Sequence, residues 1–168
     1  MPMARTPIPR RYYTVTWEEL QDEGRELARR LRRQGTWKRI IAITRGGLVP
    51  AAIISRELGI RNVDTVCISS YRGEHKGRHR IIKSVSDADD GAGVLIIDDL
   101  VDTGKTARHL RKMLPEAHLA VVFAKPAGVH DVDTYVKEVS QETWIVFPWA
   151  SGGTSSDRAR QSPTSLHS

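Results

Sequence analysis

The stretch VLIIDDLVDTGKTARHL, residues 94–110, joins an apolar run to two adjacent carboxylates and a Gly-Lys-Thr sequence. A nucleoside triphosphate loop of the form G-x-x-x-x-G-K-[ST] needs a glycine five residues before Gly104, so that successive backbone N–H groups can surround the phosphates. That position is Asp99, next to Asp98. The two carboxylates would repel triphosphate oxygens unless a cation stood between them. The stretch therefore predicts a phosphate site of another kind.

The two halves of this segment suit two different chemical groups. The second half, from Asp102 to Thr106, opens a predicted helix, where backbone N–H groups and hydroxyls can hold one phosphate monoester. The first half is acidic, and Asp98 and Asp99 can accept hydrogen bonds from vicinal hydroxyls and help to hold a magnesium ion. A ligand with a phosphate at one end and sugar hydroxyls at the other would satisfy both halves.

The elements around this segment alternate between strands and helices, which predicts an α/β fold with a mainly parallel central sheet flanked by helices. A capping box of Thr16 and Glu19 predicts a first helix that runs to about Gln34 and stops at Gly35. Two more helices are predicted, at AAIISREL and TARHLRKML. Strands are predicted at RIIAIT, VDTVCISS, IIKSV, VLIID, HLAVVFAK, TYVKEV and TWIVF.

Parallel sheets bind ligands at the carboxyl ends of their strands, where the strand order reverses. The segment from Asp98 to Thr106 follows such a predicted strand, so we expect it to be a loop at that edge. The segment from 71 to 80 has no apolar period and is expected to be a mobile surface loop. A basic extension is expected over 1–12, one domain over 13–150 and a disordered polar tail over 151–168.

Composition indicates a protein of the cytoplasm with one domain. The 168 residues include a single cysteine, Cys67, within an apolar run, which predicts a reduced and buried thiol. The amino terminus lacks the apolar region of a signal peptide. The net charge of +6 comes mostly from residues 1–39, which hold ten Arg or Lys against five Asp or Glu. A solvated helix face explains this excess better than nucleic acid or a membrane surface does.

The residues VLIIDDLVDTGKTA resemble, over their whole length, the phosphoribosyl diphosphate signature of the type I phosphoribosyltransferases. Three further segments are similar to bacterial xanthine-guanine phosphoribosyltransferases, and the similarity extends from about Tyr13 to Trp149. They are TRGGLVPAAIISRELGIRNVDTVCISSY, FAKPAG and QETWIVFPW. The resemblance implies the type I phosphoribosyltransferase fold, with a small hood and a flexible lid loop. It also implies Mg²⁺-dependent transfer of a phosphoribosyl group to guanine, xanthine and, more weakly, hypoxanthine.

The resemblance assigns one set of residues to phosphoribosyl diphosphate. Arg45 would place a fixed charge beside the diphosphate, and Gly46 would let the backbone approach it. Asp99 would contact the metal. The lid at 71–80 would close over the diphosphate with Arg78 or Arg80 as its contact. The full expected set is Arg45, Gly46, Arg78, Asp98, Asp99, Asp102, Thr103, Gly104, Lys105 and Thr106.

A second set is implied for the purine. Asp102 resembles the general base near purine N7, and Lys125 resembles the lysine that recognises the 6-oxo group. Trp144 would stack on the ring, and Ile145 would present its backbone to the 2-position. Two departures from the family pattern stand out, of which the first adds a cation near the predicted phosphate site and the second concerns purine preference. Lys105 replaces a common glycine, and the hood WIVFPWA lacks acidic residues, including one near Ala150. The order of guanine and xanthine therefore stays open.

Partners follow from the same resemblance, which implies a homo-oligomer, either a tetramer or a dimer. No nucleic acid partner is expected, and a weak peripheral association with the inner face of the cell membrane is kept as an alternative. A second function class is also kept, because some proteins with this signature are regulators that sense phosphoribosyl diphosphate and bind nucleic acid. The basic amino-terminal third would fit a regulator. A purine pocket built by Lys125 and Trp144 favours the enzyme.

Overall fold

A computed structural model describes residues 11–70, 79–85 and 89–150. Residues 1–10 of the predicted extension, residues 71–78 of the predicted lid, which include Arg78, and the predicted tail at 151–168 lie outside these ranges. Residues 79 and 80 of the predicted lid belong to a strand. The elements, in chain order, are β1 (Arg11–Thr14), α1 (Trp17–Gln34), β2 (Arg39–Ile43), α2 (Leu48–Leu58), β3 (Val63–Ser70), β4 (His79–Lys83), β5 (Val94–Val101), α3 (Lys105–Met113), β6 (His118–Ala124), a 3-10 turn (Val129–Asp131), β7 (Thr134–Glu138) and β8 (Thr143–Val146).

A six-stranded sheet forms the centre of the molecule, with the strand order β4-β3-β2-β5-β6-β7. All neighbouring pairs are parallel except β3 with β4, which is antiparallel. The predicted α/β fold with a mainly parallel sheet is therefore confirmed. A separate parallel ribbon of β1 and β8 forms the hood.

The core lies on both faces of the sheet. All five residues of β2 are buried, as are the first four of β5, which explains their continuous apolar runs. On one face, Ile40 and Leu95 pack with the apolar residues of α1 and α2. On the other, Ile41 and Ile96 pack with Leu110 of α3. The central strands are thus held from both sides, and their carboxyl ends are fixed in position.

Helix α1 begins and ends where the sequence predicts. The Thr16 hydroxyl accepts a hydrogen bond from the Glu19 backbone N–H at 3.1 Å, and Gly35 follows the last helical residue. The Glu19 carboxylate also interacts with the Thr16 backbone N–H, which is the reciprocal half of the capping box. The Glu19 carboxylate accepts hydrogen bonds from the Tyr13 hydroxyl and, at 3.1 Å, from Lys137 Nζ. This carboxylate therefore ties the helix to neighbouring strands as well as to its own amino terminus.

Tyr13, Glu19 and Lys137 connect the hood to the main sheet. Tyr13 belongs to β1 and Lys137 to β7, and Lys137 Nζ donates to the Tyr13 hydroxyl at 2.5 Å. The ammonium also lies 4.8 Å from the centre of the Tyr13 ring. The hydrogen bond with Tyr13 raises the pKa of Lys137 to about 12 against the opposing effect of burial. The ammonium stays charged at neutral pH, which keeps this connection intact.

Four details differ from the sequence-based expectations. Strand β5 continues through Asp98 and Asp99 to Val101, because Leu100 and Val101 pair with β6. The expected loop is therefore shorter and begins after Val101. Strand β1 was not predicted, since its partner β8 lies far along the chain. Helix α2 begins earlier than expected, at Leu48. Cys67 is a free thiol but is half-buried, not fully buried.

Within the described ranges, no helix is both long and apolar enough to cross a bilayer.

The Thr16 cap yields the first prediction. We expect Thr16→Ala to lower the free energy of unfolding by about 1 kcal/mol, because the Glu19 N–H loses its side-chain acceptor. Urea denaturation of both proteins is the measurement. Thr36→Ala is the control, since Thr36 is exposed and lies outside any helix. Equal stabilities for the two variants would contradict the assignment of Thr16 as the cap.

Candidate active site

The strand order reverses between β2 and β5. The chain places β3 on one side of β2 and later returns to place β5 on the other side. The loops that follow β2 and β5 consequently meet at one edge of the sheet, which is where open α/β sheets bind their ligands. These loops are residues 44–47 and 102–104, and they contain half of the residues predicted for the sugar and phosphate groups.

The loop after β2 packs its backbone directly onto β5. A Cβ atom on Gly46 would overlap the Asp99 carboxylate, and one on Gly47 would overlap the Ile97 carbonyl oxygen. The Gly47 N–H also donates to the Ile43 carbonyl at 2.8 Å, which closes the turn. The Thr44–Arg45 peptide bond is cis, and Arg45 is exposed. Both glycines are therefore required by space, and Arg45 stands at the open side of the site.

Asp98 and Asp99 form an acidic pair at the end of β5. Both residues are half-buried, and the Asp99 N–H donates to Asp98 Oδ1 at 2.9 Å. Burial raises the pKa of Asp99 to about 6. Burial, together with the charge of Asp99, also raises the pKa of Asp98. Two neighbouring carboxylates with raised pKa values favour a cation or hydroxyl donors beside them.

The described residues contain no group of three or more His, Cys, Asp and Glu that could hold a metal ion. Asp98 and Asp99 still offer the carboxylate oxygens that Mg²⁺ prefers, and Mg²⁺ usually keeps several waters and binds through one or two carboxylates and substrate phosphates. The donor set therefore fits a magnesium ion that is shared with a phosphorylated ligand. Asp99, which lies against Gly46, is the carboxylate nearer to the loop of Arg45.

The loop after β5 leads into the start of α3, where the sequence predicts a phosphate cradle. Glycine is required at position 104 for two reasons: its φ is +78°, and a Cβ there would overlap the Asp131 carboxylate. No side chain caps α3, and its first turn holds no acidic residue. The first backbone N–H groups can therefore serve an anion. The side chains of Thr103 and Lys105 are exposed, and Thr106 is half-buried.

The purine residues predicted from the sequence lie beside this cradle. Lys125 follows β6, is only 7% exposed, and its backbone N–H donates to the Val101 carbonyl at 2.9 Å. Its Nζ lies 3.4 Å from Asp102 Oδ1. The structure thus brings Asp102 and Lys125 together as expected. Trp144 and Ile145 belong to β8 of the hood, Trp144 half-buried and Ile145 buried.

Three residues of this site were not assigned from the sequence. Gly47 and Gly128 are needed for close backbone approach, and a Cβ on Gly128 would lie 2.9 Å from the Gly104 nitrogen. Gln141 donates from Nε2 to Asp102 Oδ1 at 2.8 Å. The glycines stand in the quoted segments RGG and KPAG, which was a signal for them. Gln141 opens the quoted segment QETWIVFPW but was given no role there, and only the folded chain brings it to Asp102.

The expected diphosphate contact of the lid stays a prediction. Arg78 lies outside the described residues, and Arg80 falls in β4. Arg78 and Arg80 therefore both stay candidates for the contact with the diphosphate.

A family model described as the phosphoribosyl transferase domain matches residues 16–153. Curated xanthine-guanine phosphoribosyltransferases from two strains of Nitratidesulfovibrio vulgaris, DP4 and Hildenborough, are each 57% identical to this chain over 143 residues. The match covers 84% of this chain and 86% of each relative. The chain belongs to the phosphoribosyltransferase family. The alternative of a nucleic-acid-binding regulator is not supported by these relatives.

Solved structures agree with this fold. A purine phosphoribosyltransferase from Pyrococcus horikoshii has a TM-score of 0.75 and 31% identity, and the match covers 85% of this chain and 97% of that one. A xanthine-guanine-hypoxanthine phosphoribosyltransferase from Helicobacter pylori has a TM-score of 0.71 at 20% identity, covering 83% of this chain and 94% of that one. The second likeness shows the fold alone.

The contact between Gly46 and Asp99 yields the second prediction. We expect Gly46→Ala to lower kcat/KM for phosphoribosyl transfer by about a hundredfold, because the new methyl group must displace the carboxylate by roughly an ångström. Steady-state kinetics is the measurement. Gly35→Ala is the control, since Gly35 has extended backbone, ends α1 and is far from the acidic pair along the chain. Wild-type kinetics for Gly46→Ala would contradict the described packing.

Proposed function

We propose that this protein is a purine salvage phosphoribosyltransferase that converts guanine and xanthine, and more weakly hypoxanthine, to nucleoside 5′-monophosphates. The co-substrate is phosphoribosyl diphosphate, and the second product is diphosphate. One observation carries the proposal: a buried ammonium, Lys125, lies 3.4 Å from the Asp102 carboxylate directly beside the phosphate cradle. A donor next to an acceptor matches the edge of a 6-oxopurine, whose O6 accepts and whose N7 releases a proton.

The sugar and phosphate groups would lie along the edge between β2 and β5. The 5′-phosphate is held by the first turn of α3 and by the side chains of Thr103 and Thr106. Asp98 and Asp99 accept hydrogen bonds from the ribose hydroxyls. Arg45 neutralises the diphosphate as it leaves, and Gly46 permits the close approach of backbone. Lys105 is exposed at the start of α3 and adds positive charge near the cradle.

The proposed cofactor is Mg²⁺, held by Asp99 with support from Asp98 and by oxygens of the substrate and water. When bound, this ion supplies Lewis-acid stabilisation to the departing diphosphate. The carboxylates themselves have a further role, because they place negative charge near a sugar that becomes oxocarbenium-like as its bond to diphosphate breaks.

The purine is recognised by donors, an acceptor and an aromatic surface. The Lys125 ammonium has donors only, so it binds the 6-oxo group of guanine, xanthine and hypoxanthine but opposes the 6-amino group of adenine. Asp102 accepts the N7 proton as general base. Trp144 stacks on the ring, and the backbone of Ile145 contacts the group at the 2-position. Hypoxanthine lacks a 2-substituent and forfeits that last contact.

Assembly and location complete the proposal. The protein is proposed to act in the cytoplasm as a homo-oligomer, either a dimer or a tetramer, without a nucleic acid partner. The free thiol of Cys67 suits a reducing compartment. Weak contact with the inner face of the cell membrane is the alternative, for which the basic amino-terminal extension is the candidate. The lid with Arg78 or Arg80 is proposed to close over the diphosphate and exclude water.

Relative kcat/KM values for guanine, xanthine, hypoxanthine and adenine, at fixed Mg²⁺ and phosphoribosyl diphosphate, test the proposal. Guanine and xanthine should be good substrates and hypoxanthine weaker. Adenine should be almost excluded, since opposed buried donors cost several kcal/mol. Adenine turnover within about tenfold of guanine would overturn the role of Lys125. A salt-sensitive nucleic acid complex without turnover of any purine would instead support a regulator.

Arg45→Ala separates the two halves of the site. The substitution should lower kcat and weaken the binding of phosphoribosyl diphosphate. Purine binding should stay close to that of the wild type, because Arg45 is proposed to contact the diphosphate and not the purine. Kinetics with each substrate varied in turn is the measurement. Arg56→Ala is the matched control, since Arg56 is an exposed arginine in the last turn of α2. Loss of purine binding with intact diphosphate binding would refute the assignment of Arg45.

A further inference from the structure

Gln141 joins three segments that meet at the purine side of the site. Its Nε2 donates to Asp102 Oδ1 at 2.8 Å, and its Oε1 accepts a hydrogen bond from the Ala127 backbone N–H at 2.9 Å. Asp102 belongs to the phosphate cradle, and Ala127 belongs to the turn that follows Lys125. Gln141 itself precedes β8, the hood strand that carries Trp144. The side chain is half-buried.

The orientation of the Gln141 amide is determined by its two partners. A backbone N–H can only donate, so the atom that faces Ala127 must be the amide oxygen. The amide nitrogen then necessarily faces Asp102, whose ionised carboxylate can only accept. If the amide were flipped, its nitrogen would face the Ala127 N–H, which is also a donor, and its oxygen would face the Asp102 carboxylate, which is also an acceptor. The amide therefore holds the carboxylate in one orientation.

The turn around Gln141 is also fixed. The hydroxyls of Ser140 and Thr143 lie 2.7 Å apart, within hydrogen-bond distance, and the Thr143 N–H donates to the Ser140 carbonyl at 3.0 Å. This closed turn directs the Gln141 side chain towards the cradle and begins β8 at Thr143. Because Trp144 follows at once, one turn controls both the amide and the ring proposed to stack on the purine.

Lys125 and Gln141 contact the same carboxylate oxygen, Oδ1 of Asp102. The Lys125 contact is long, at 3.4 Å, and the proposed function requires this ammonium to bind the purine 6-oxo group. A neutral amide donor can keep hold of Oδ1 when Lys125 turns to the purine, and it brings no charge that would compete with Lys125. Both contacts are made to Oδ1, and neither is made to the other oxygen, Oδ2.

We propose that Gln141 is a positioning residue for the general base Asp102. It acts through Asp102 and does not contact the purine. It holds Oδ1, so that Oδ2 is presented to the N7 proton in the geometry of proton transfer. The inference rests on the proposed function, because it concerns the base of that reaction.

Two variants with different chemistry test the role of Gln141. Gln141→Met keeps the length of the side chain and removes both hydrogen bonds. Gln141→Glu keeps the acceptor for the Ala127 N–H and replaces the donor with a carboxylate that repels Asp102. Gln21→Glu is the control for the added charge, since Gln21 is exposed on α1. Each variant is assayed in full-length form with guanine, Mg²⁺ and phosphoribosyl diphosphate, and its thermal unfolding is recorded.

Both variants should lower kcat by about ten- to hundredfold, because a misplaced base slows proton transfer. The KM for phosphoribosyl diphosphate should stay within about twofold of the wild-type value, since the hydroxyls and N–H groups of the cradle remain. Gln141→Glu should be the slower of the two variants. Gln21→Glu should match the wild type. Unfolding temperatures close to the wild-type value would separate a positioning role from a merely structural one.

Three outcomes would overturn the inference. The first is a wild-type kcat in both variants. The second is a rise in the KM for guanine and in the KM for phosphoribosyl diphosphate with kcat unchanged, which would make Gln141 a binding residue. The third is loss of folding in both variants, which would make it a brace of the fold. If the wild-type protein converts no purine at all, the proposed function itself fails. If the wild type is active and the variants equal it, only the role of Gln141 fails.

Discussion

The Asp99 carboxylate packs against the backbone of Gly46, and this single contact joins the two halves of the site. It occurs where the strand order reverses, so the loop after β2 has no room for a side chain at Gly46. The same packing removes water from Asp99 and its neighbour Asp98, and it raises both of their pKa values. An acidic pair held in this way favours hydroxyl donors and a divalent cation beside it.

The proposed purine site depends on a second set of contacts, which begin at residues outside that site. Lys137 and Glu19 hold Tyr13, and Tyr13 lies in register with Ile145 in the hood ribbon. The hood is thus attached to the main sheet through hydrogen bonds and an ion pair. Gln141 then links the start of that hood to Asp102. The proposed base Asp102, the ammonium of Lys125 and the proposed stacking ring of Trp144 are in this way connected by a continuous set of described contacts.

Local sequence pattern was sufficient for the parallel sheet and the ends of α1, because periodicity and capping are local properties. The sugar and phosphate roles assigned to the segment around Gly104 remain predictions. Local pattern was not sufficient for β1, whose partner strand is distant in the chain, or for the extension of β5, which depends on pairing with β6. Gln141 stood in the quoted segment QETWIVFPW, but its role could not be inferred there because its partner Asp102 is distant in the chain. The roles assigned to the lid remain predictions.

Turnover by Asp99→Asn tests the central claim most directly, since asparagine keeps the size of the side chain against Gly46 and removes only its charge. With guanine and phosphoribosyl diphosphate, and with Mg²⁺ varied, the account predicts a loss of kcat of at least about a hundredfold, on the scale of a lost electrostatic contact to the transition state. It also predicts that excess Mg²⁺ will not restore the rate. A wild-type kcat with the normal dependence on Mg²⁺ would contradict the account.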